Sequence, residues 1–188
     1  MTPLQRAIED CVAAIRGLDV LEAPLNRAAK MVSCCLTSGH KLLLCGNGGS
    51  ASDATHIASE FLCRFMDDRR PYPALSLTAN GEFATAVGND YDFAEVFARQ
   101  VWGLGEPGDV LIALTTSGKS KNVLRALEEA NRKKIESICL LGRDGGFTKG
   151  VATVDLLVPG QSTARIQEAQ KLLLHVICEI VEKELPRK

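Results

Sequence analysis

The sequence has little of what marks several specialised protein classes. Its 188 residues include one tryptophan and 5% aromatic residues, and no apolar run approaches the ~20 residues of a membrane span. The formal net charge is −1, so there is no overall positive field to attract nucleic acid. Residues 1–12, MTPLQRAIEDCV, carry acidic side chains and no long apolar segment, so we expect no secretory signal. These absences favour a globular protein that binds neither membrane nor nucleic acid.

Closely spaced cysteine pairs of the CxxC type are also missing. The seven cysteines are scattered and odd in number, and most lie in apolar stretches. This usage is typical of reduced thiols in a cytoplasmic protein. Cys45 ends an apolar run beside a glycine-rich segment, so a nucleophilic role is an alternative to the buried core thiol that we favour.

One local cluster of basic residues needs a separate interpretation. Arg64, Arg69 and Arg70 lie close together in the sequence, but Asp67 and Asp68 lie among them. Mixed charge of this kind favours a solvated loop over a polyanion-binding site.

Short apolar runs alternate with stretches of helical periodicity along the chain. The pattern predicts a doubly wound α/β fold, with a five-stranded parallel sheet covered by helices on both faces. At this length we expect a single domain, residues 1–188, in which residues 1–40 form a helical segment used for oligomer packing. The predicted strands are 41–46, 74–78, 109–116, 137–142 and 154–158, and the predicted helices are 4–15, 24–36, 50–65, 120–133 and a long C-terminal 164–185.

The glycine-rich segment Gly46–Ser50 follows the first predicted strand and begins a helix. Free backbone N–H groups and the helix dipole at such a junction favour a bound anion, and glycines let the anion approach closely. A ligand-free turn is one alternative, and the loose G-x-G-x-x-A dinucleotide fingerprint that ends at Ala51 is another. That fingerprint requires an acidic residue at the end of the next strand, but this strand ends at Thr78 and Glu82 comes too late. We therefore favour a phosphate loop.

A second polar segment, Thr115–Ser120, follows another strand and also begins a helix. It carries four hydroxyls and a glycine in six positions, whereas a simple helix N-cap needs one hydroxyl. Hydroxyl and N–H groups suit a phosphate monoester. The pair of loops predicts a protein that holds a phosphorylated sugar.

His56 and Glu60 follow the first loop at a spacing of i, i+4, so they share one face of the predicted helix. Such a pair is often only a surface contact. Next to a phosphate loop, however, an imidazole and a carboxylate on one helix face can act together on a bound ligand as acid and base. His175 and Gln167 lie on the C-terminal helix, where an isolated histidine is by itself more often a structural residue than a ligand.

Taken in order, the motifs GNGGS (46–50), HIASE (56–60), GND (88–90), TSGKS (116–120) and RIQE (165–168) resemble the sugar isomerase (SIS) domain of phosphoheptose isomerases. The resemblance covers essentially the whole chain. It implies a homotetrameric enzyme that converts sedoheptulose 7-phosphate to D-glycero-D-manno-heptose 7-phosphate, a precursor for lipopolysaccharide or other surface glycans. Ala164 departs from relatives that carry an acidic residue before RIQE, which alters one expected sugar contact.

The same resemblance implies roles for individual residues. Glu60 and His175 match the acid/base pair, and a zinc ion is expected on His56, Glu60, Gln167 and His175. To the substrate contacts that it implies we add Ser50, a hydroxyl at the helix N-terminus. The expected substrate-binding residues are Asn47, Gly48, Gly49, Ser50, Glu60, Asn89, Asp90, Thr115, Thr116, Ser117, Ser120 and Gln167.

The spacing of Gln167 and His175 raises a geometric question. Eight residues on one helix separate their Cα atoms by about 12 Å at ~1.5 Å per residue, too far for a straight helix to place both easily on one tetrahedral ion. Either the side chains lean toward each other, or one serves the site of a neighbouring subunit. We expect active sites at subunit interfaces.

Two other functions share the overall pattern. One is a non-catalytic SIS module of the kind that associates with a replication initiator, although that module lacks the full set of His, Glu, Gln and His. The other is an isomerase of a different ketose phosphate, which would carry every motif named.

Overall fold

A parallel sheet of five strands forms the centre of the protein. The structure, a computed structural model, describes residues 1–186, so residues 187 and 188 of the predicted domain lie outside it. The strands run in the order β2-β1-β3-β4-β5 and every pairing is parallel. The predicted five-stranded doubly wound sheet is thus confirmed. The strands are β1 (Leu42–Cys45), β2 (Ala74–Ser76), β3 (Val110–Thr115), β4 (Glu136–Gly142) and β5 (Val154–Val158).

Helices cover both faces of this sheet. Residues 1–186 form seven α-helices, together with single 3₁₀ turns at residues 19–21, 93–95 and 146–148. None of these helices is long and apolar enough to cross a membrane. The helices are α1 (Pro3–Arg16), α2 (Glu22–Thr37), α3 (Gly49–Leu62), α4 (Gly81–Asp90), α5 (Ala98–Leu104), α6 (Lys121–Arg132) and α7 (Thr163–Glu184).

The strands are buried on both faces, which explains their continuous apolar sequences. In β1, Leu42 and Leu44 pack with α2, α3 and α7, whereas Leu43 and Cys45 pack with α4, α5 and α6. A strand enclosed in this way cannot show the apolar–polar alternation of a half-exposed strand. The helices α3 and α7, which carry the predicted acid/base residues, lie together on one face.

Two parts of the helical layer differ from the sequence prediction. Helices α4 and α5 were not predicted, because α4 contains Gly81 and Gly88 and buries a single residue, Val87, while α5 is only 7 residues long. Helix α3 ends at Leu62, three residues before the predicted end. Two carbonyls of its last turn accept hydrogen bonds from the side chain of Arg69, which comes later in the sequence. Local periodicity could not reveal this end.

Gly118 occupies a position in the second loop that has no room for a side chain. Its φ is +65°, and an added Cβ would lie 2.1 Å from the carbonyl oxygen of Gly145. Thr148 donates to the carbonyl of Gly118 through both its backbone N–H, at 3.2 Å, and its hydroxyl, at 2.8 Å. The backbone of the second loop is therefore fixed against the segment that connects β4 and β5.

We predict that Gly118→Ala lowers the free energy of unfolding by about 2–4 kcal/mol, through combined backbone strain and overpacking. Thermal or urea denaturation measures the change. Gly88→Ala is the matched control, because Gly88 lies in α4 with no atom within 4 Å of an added Cβ. We expect the control to be neutral or stabilising by up to about 1 kcal/mol, from helix propensity. Equal effects of the two substitutions would contradict the tight packing of Gly118.

Candidate active site

The two predicted phosphate loops lie at the switch point of the sheet. The loop Gly46–Ser50 follows β1 and the loop 115–120 follows β3, and these two strands are direct neighbours. In a sheet of this order the connections from β1 and β3 leave in opposite directions, which opens a crevice at the carboxyl ends of the strands. The fold therefore brings the loops together where open α/β sheets bind ligands.

A pair of asparagine side chains joins the two loops. Asn47 Nδ2 donates to Asn122 Oδ1 at 2.9 Å, and Asn122 Nδ2 donates to Asn47 Oδ1 at 2.8 Å. Asn122 is buried, and its Oδ1 also accepts from the backbone N–H of Val123. This contact holds Asn47, a predicted substrate residue, in one orientation. Asn122 was not predicted from the sequence. Its position two residues after Ser120, at the end of the second loop, was the sequence feature that could have indicated it.

Hydroxyl groups of the second loop form their own cluster. Thr115 Oγ1 lies 3.1 Å from Ser120 Oγ and 3.5 Å from Ser117 Oγ. Thr115 Oγ1 also accepts from the backbone N–H of Gly118, and Ser117 Oγ accepts from that of Lys119, each at 3.1 Å. The loop thus presents several hydroxyls over a small area at the first turn of α6, a chemistry that suits phosphate oxygens.

The first loop also borders a small cavity of about 160 Å³. Asn47 and Gly48 contribute to one wall, and Thr78, Phe93 and Phe97 contribute to the others. A wider concavity of about 680 Å³ lies beside Asn80 and Gln100 and is lined by no residue of either loop. We regard the smaller cavity as the relevant one, because it adjoins the first phosphate loop.

Helices α3 and α7 run parallel. Residues of α3 therefore contact residues of α7 in the same order along the chain, pair after pair. Near the start of α3, Gln167 lies so close to Gly49 that an added Cβ would be 2.5 Å from its amide. Further along, Lys171 Nζ lies 2.9 Å from Asp53 Oδ1. The next pair is His56 and His175, whose Nε2 atoms are 3.2 Å apart. Glycine at position 49 leaves room for the Gln167 amide between the two helices.

His56 lies between the two residues that are predicted to transfer protons. Its Nε2 is 3.2 Å from Glu60 Oε1 as well as from His175 Nε2. The ring of Phe65 lies beside His175, at 5.7 Å between centroids. The structure therefore brings together three of the four predicted zinc ligands, all from one chain.

The fourth predicted ligand, Gln167, has a different partner. Its Nε2 donates to Asp53 Oδ2 at 2.8 Å, and Asp53 is buried. Gln167 lies two helical turns before His175, as the spacing of about 12 Å anticipates. The structure thus places Gln167 next to the first loop. Asp53, which holds it, was not predicted from the sequence.

The donor set of His56, Glu60 and His175 suits zinc, which favours imidazole and carboxylate ligands. Tetrahedral bonds of ~2.0–2.1 Å separate ligand atoms by about 3.3 Å, close to the two distances measured from His56. Within residues 1–186, however, no group of three or more His, Cys, Asp or Glu side chains is arranged as a ready-made metal site. The residues fit the ion in type and in spacing around His56, and zinc stays a prediction.

Asn89 and Asp90 lie apart from this cluster. They occupy the last two positions of α4, both are exposed, and Asn89 Nδ2 donates to Asp90 Oδ1 at 2.8 Å. Helix α4 approaches the first loop through Ala84, which borders the same small cavity as Asn47. A role for Asn89 and Asp90 in substrate binding stays a prediction.

Cys45 lies in the core next to the first loop. It is completely buried, and burial raises the pKa of its thiol to about 12. A thiolate nucleophile needs a lowered pKa and access to substrate. The structure therefore contradicts the catalytic interpretation of Cys45 and agrees with a core thiol.

The SIS domain family model matches residues 6–142. The chain is 46% identical over 172 residues to the phosphoheptose isomerase of Coxiella burnetii (strain RSA 331 / Henzerling II), covering 90% of this chain and 86% of that protein.

Two solved structures agree closely with this one. A phosphoheptose isomerase from Francisella tularensis superposes with a TM-score of 0.91 at 38% identity, and that from Neisseria gonorrhoeae with a TM-score of 0.86 at 39% identity. Each match covers 97% of this chain and 100% of the other.

Burial, followed by the positive charge that His56 can carry, lowers the pKa of His175 from its ordinary value of 6.5. We predict that in metal-free protein His175 titrates below 6.5 and is neutral at pH 7. The pH dependence of the imidazole NMR signals measures this pKa. Replacing His56 by Gln should raise it part of the way toward 6.5, and His40→Gln assigns the remaining histidine signal. A midpoint at or above 6.5 in the unsubstituted protein would contradict the prediction.

Proposed function

We propose an isomerase function from one premise: the chain belongs to the phosphoheptose isomerase family of SIS-domain proteins. The proposed reaction converts sedoheptulose 7-phosphate to D-glycero-D-manno-heptose 7-phosphate, an aldose–ketose isomerisation through an enediol. The observation that carries the proposal is that His56 and Glu60, on the helix that begins at the first phosphate loop, meet His175 of α7. An anchored phosphate would hold the sugar chain against these groups.

The loops and the helices have different roles in the proposed reaction. We assign the phosphate to the loops at Gly46–Ser50 and 115–120, which hold it through backbone N–H groups and hydroxyls. Binding the phosphate fixes the distant end of the sugar, so that C1 and C2 meet the acid/base residues in a single orientation. The energy of phosphate binding then contributes to positioning at the reacting carbons.

Glu60 is the proposed base for the carbon-bound proton. Its carboxylate takes the proton from C1 of the ketose and returns it to C2 of the enediol. Neutral His175 accepts the proton that leaves the C1 hydroxyl and supplies the proton that the C2 oxygen gains, so no net proton is lost. The lowered pKa of His175 suits this role, because it keeps the imidazole neutral near pH 7.

We further propose that His56, Glu60 and His175, with Gln167 as a fourth donor, hold one zinc ion. Bound zinc would polarise the sugar oxygens and stabilise negative charge on the enediol. His56 would orient both acid/base residues, since it lies 3.2 Å from each of them. Gln167 would have to leave Asp53 to join the other three.

The non-catalytic binding module is not favoured. Glu60, His56 and His175 converge in this chain, and a module that only binds has no need of an acid/base cluster. An isomerase of another ketose phosphate differs only in the sugar, and a substrate panel separates it.

The buried thiols support a cytoplasmic location. Cys35, Cys45, Cys139 and Cys178 are buried as free cysteines, as expected in a reducing compartment. We place the enzyme there, at the first step of heptose precursor synthesis for surface glycans.

We predict turnover of sedoheptulose 7-phosphate by zinc-loaded protein, followed by NMR of the sugar signals. Glu60→Gln removes the base and should lower kcat about 10²- to 10⁴-fold, the usual contribution of general acid–base catalysis. A chelator should also lower kcat, and added zinc should restore it.

The matched control is Glu179→Gln, an exposed carboxylate on α7 that pairs with Lys183, which should leave kcat unchanged. Fructose 6-phosphate and ribulose 5-phosphate test other ketose phosphates. No turnover of the heptose by metal-replete protein would refute the proposal. Faster turnover of another ketose phosphate would show that this sugar, and not sedoheptulose 7-phosphate, is the substrate.

We propose that residues 1–40 contribute to a homotetramer with active sites near the subunit interfaces. Helix α1 is joined to α7 where Arg165 Nη1 donates to the carbonyl of Ala7 at 2.6 Å. Within the described chain, α1 buries none of its residues. Its apolar side chains form an exposed stripe of Leu4, Ile8, Val12 and Ile15, which are 69%, 53%, 43% and 38% exposed.

An apolar stripe of this kind is expected to pack against another subunit. The subunit that covers it would lie beside the first turns of α7, close to Gln167. This arrangement would place the interface next to the active site.

We predict that the double substitution Ile8→Glu and Val12→Glu dissociates the tetramer, because it places two charges in an apolar contact. Size-exclusion chromatography with light scattering measures the mass. Loss of turnover should accompany dissociation if neighbouring subunits complete the sites. Ala13→Glu, an exposed position on another side of α1, is the control and should remain tetrameric. Dissociated subunits with full activity would contradict the shared site, and an unchanged mass would contradict the role of α1.

A further inference from the structure

Arg69 is buried, although the mixed charges around it predicted a solvated loop. Its side chain is 2% exposed and its Nε lies 3.1 Å from Glu182 Oε1. Arg69 belongs to the segment between α3 and β2, and Glu182 to the last turn of α7. The sequence interpretation is therefore wrong for Arg69, which joins the ends of the two helices that carry the acid/base cluster.

The guanidinium of Arg69 also closes the end of α3. Its Nη2 donates to the carbonyl of Glu60 at 2.7 Å, and its Nη1 donates to the carbonyl of Phe61 at 3.0 Å. The last four carbonyls of a helix have no partner within the helix, and its final turn frays unless they are bound. Arg69 thus fixes the backbone of the proposed base itself.

Glu182, in the last turn of α7, binds the segment that follows α3. Its carboxylate accepts from the backbone N–H groups of Phe65, Met66 and Asp67 at 3.1, 2.8 and 3.1 Å. Burial alone would raise the pKa of Glu182, but these three N–H donors and Arg69 outweigh it and lower the pKa. The carboxylate is therefore charged at neutral pH and fixes the segment 65–67.

That segment leads back to the second acid/base residue. Phe65 packs beside the ring of His175, and its backbone N–H is bound to Glu182, two helical turns after His175 on α7. One ion pair therefore contacts the backbone of Glu60 directly and reaches His175 through Phe65.

We propose that Arg69 and Glu182 are positioning residues for the isomerisation. They act through Glu60 and His175, fixing the separation of the two groups, and do not themselves touch the sugar. The inference rests on the proposed function and adds two residues that lie outside the predicted site. A purely structural ion pair would affect folding and leave the chemistry of the folded enzyme unchanged.

The test compares two ion pairs of similar construction, of which one joins the ends of α3 and α7 and the other does not. Asp109 is also buried, pairs with Lys41 at 2.7 Å, and accepts from the backbone N–H groups of Lys41 and Glu106. It lies immediately before β3, and these contacts involve neither α3 nor α7. Asp109→Asn is therefore the control for Glu182→Gln, since each substitution removes one charge from a buried pair with backbone donors.

Arg69→Lys and Glu182→Asp are the milder variants, which retain the charges in case Glu182→Gln does not fold. Lysine cannot reproduce the fork that reaches Glu60 and Phe61 together. We expect kcat of folded zinc-loaded Arg69→Lys to fall about 10- to 100-fold, the scale of a small misplacement of catalytic groups. KM should stay within about threefold, because the phosphate loops are untouched.

The outcome is decided by comparing stability with kcat. Asp109→Asn should lower the melting temperature. At temperatures where this variant is still folded, its kcat should be unchanged. Arg69→Lys and Glu182→Asp with unchanged kcat would overturn the positioning role, as would an equal loss of kcat in Asp109→Asn.

If the unsubstituted protein shows no turnover of any ketose phosphate, the proposed function fails separately. In that case the imidazole NMR signals of His56 and His175 still decide whether the pair positions them. Signals that shift in Arg69→Lys but not in Asp109→Asn support positioning, and signals unchanged in both overturn it.

Discussion

The proposed active site depends on the parallel contact between α3 and α7. The contact begins where Gly49 meets Gln167, because the absence of a Cβ at position 49 leaves room for the Gln167 amide. A side chain at position 49 would displace that amide at the end nearest the phosphate loop. Further along the two helices, the same parallel packing brings His56 within 3.2 Å of His175. The spacing of the acid/base groups is therefore set by backbone packing as well as by the side chains themselves.

The sheet supplies the second requirement, a place for the phosphate. β1 and β3 are neighbours whose connections diverge, so the helices that follow them, α3 and α6, point their first turns into one crevice. The amide pair of Asn47 and Asn122 joins the two sides of this crevice. The phosphate-binding loop and two residues of the acid/base cluster thus belong to the same helix, α3. The loop lies at its first turn, and His56 and Glu60 lie one to three turns later. A sugar phosphate is a ligand whose charged end and reacting end are separated in this manner.

Much of the fold was predictable from the sequence, and the reasons are local. Continuous apolar runs such as Leu42–Cys45 indicate strands buried on both faces, and their alternation with helices indicates parallel pairing. The polar loops after two of these strands, and the spacing of His56 and Glu60, were visible in the same way. Helix α4 was not predicted, because two glycines and a single buried residue leave it without a clear apolar periodicity.

Other parts of the site depend on contacts between residues that are distant in the sequence. No local pattern shows that Asn122 binds Asn47, that Asp53 holds Gln167, or that Arg69 is buried against Glu182. The solvated interpretation of Arg69 is wrong because it rests on acidic neighbours in the sequence, whereas the partner of Arg69 lies 113 positions away. The identities of the zinc ion and of the sugar contacts at Asn89 and Asp90 stay predictions, since they concern ligands as well as the chain.

The fixed backbone around Gly118 has a consequence for how the protein meets its ligand. The second loop is held by Thr148 and packed against Gly145, so its shape belongs to the fold and does not have to be acquired during binding. A preorganised loop loses little conformational entropy when an anion arrives, and more of the interaction energy then appears as affinity. The first encounter with a sugar phosphate would therefore resemble docking to a rigid surface, with any rearrangement left to the less constrained amide of Gln167.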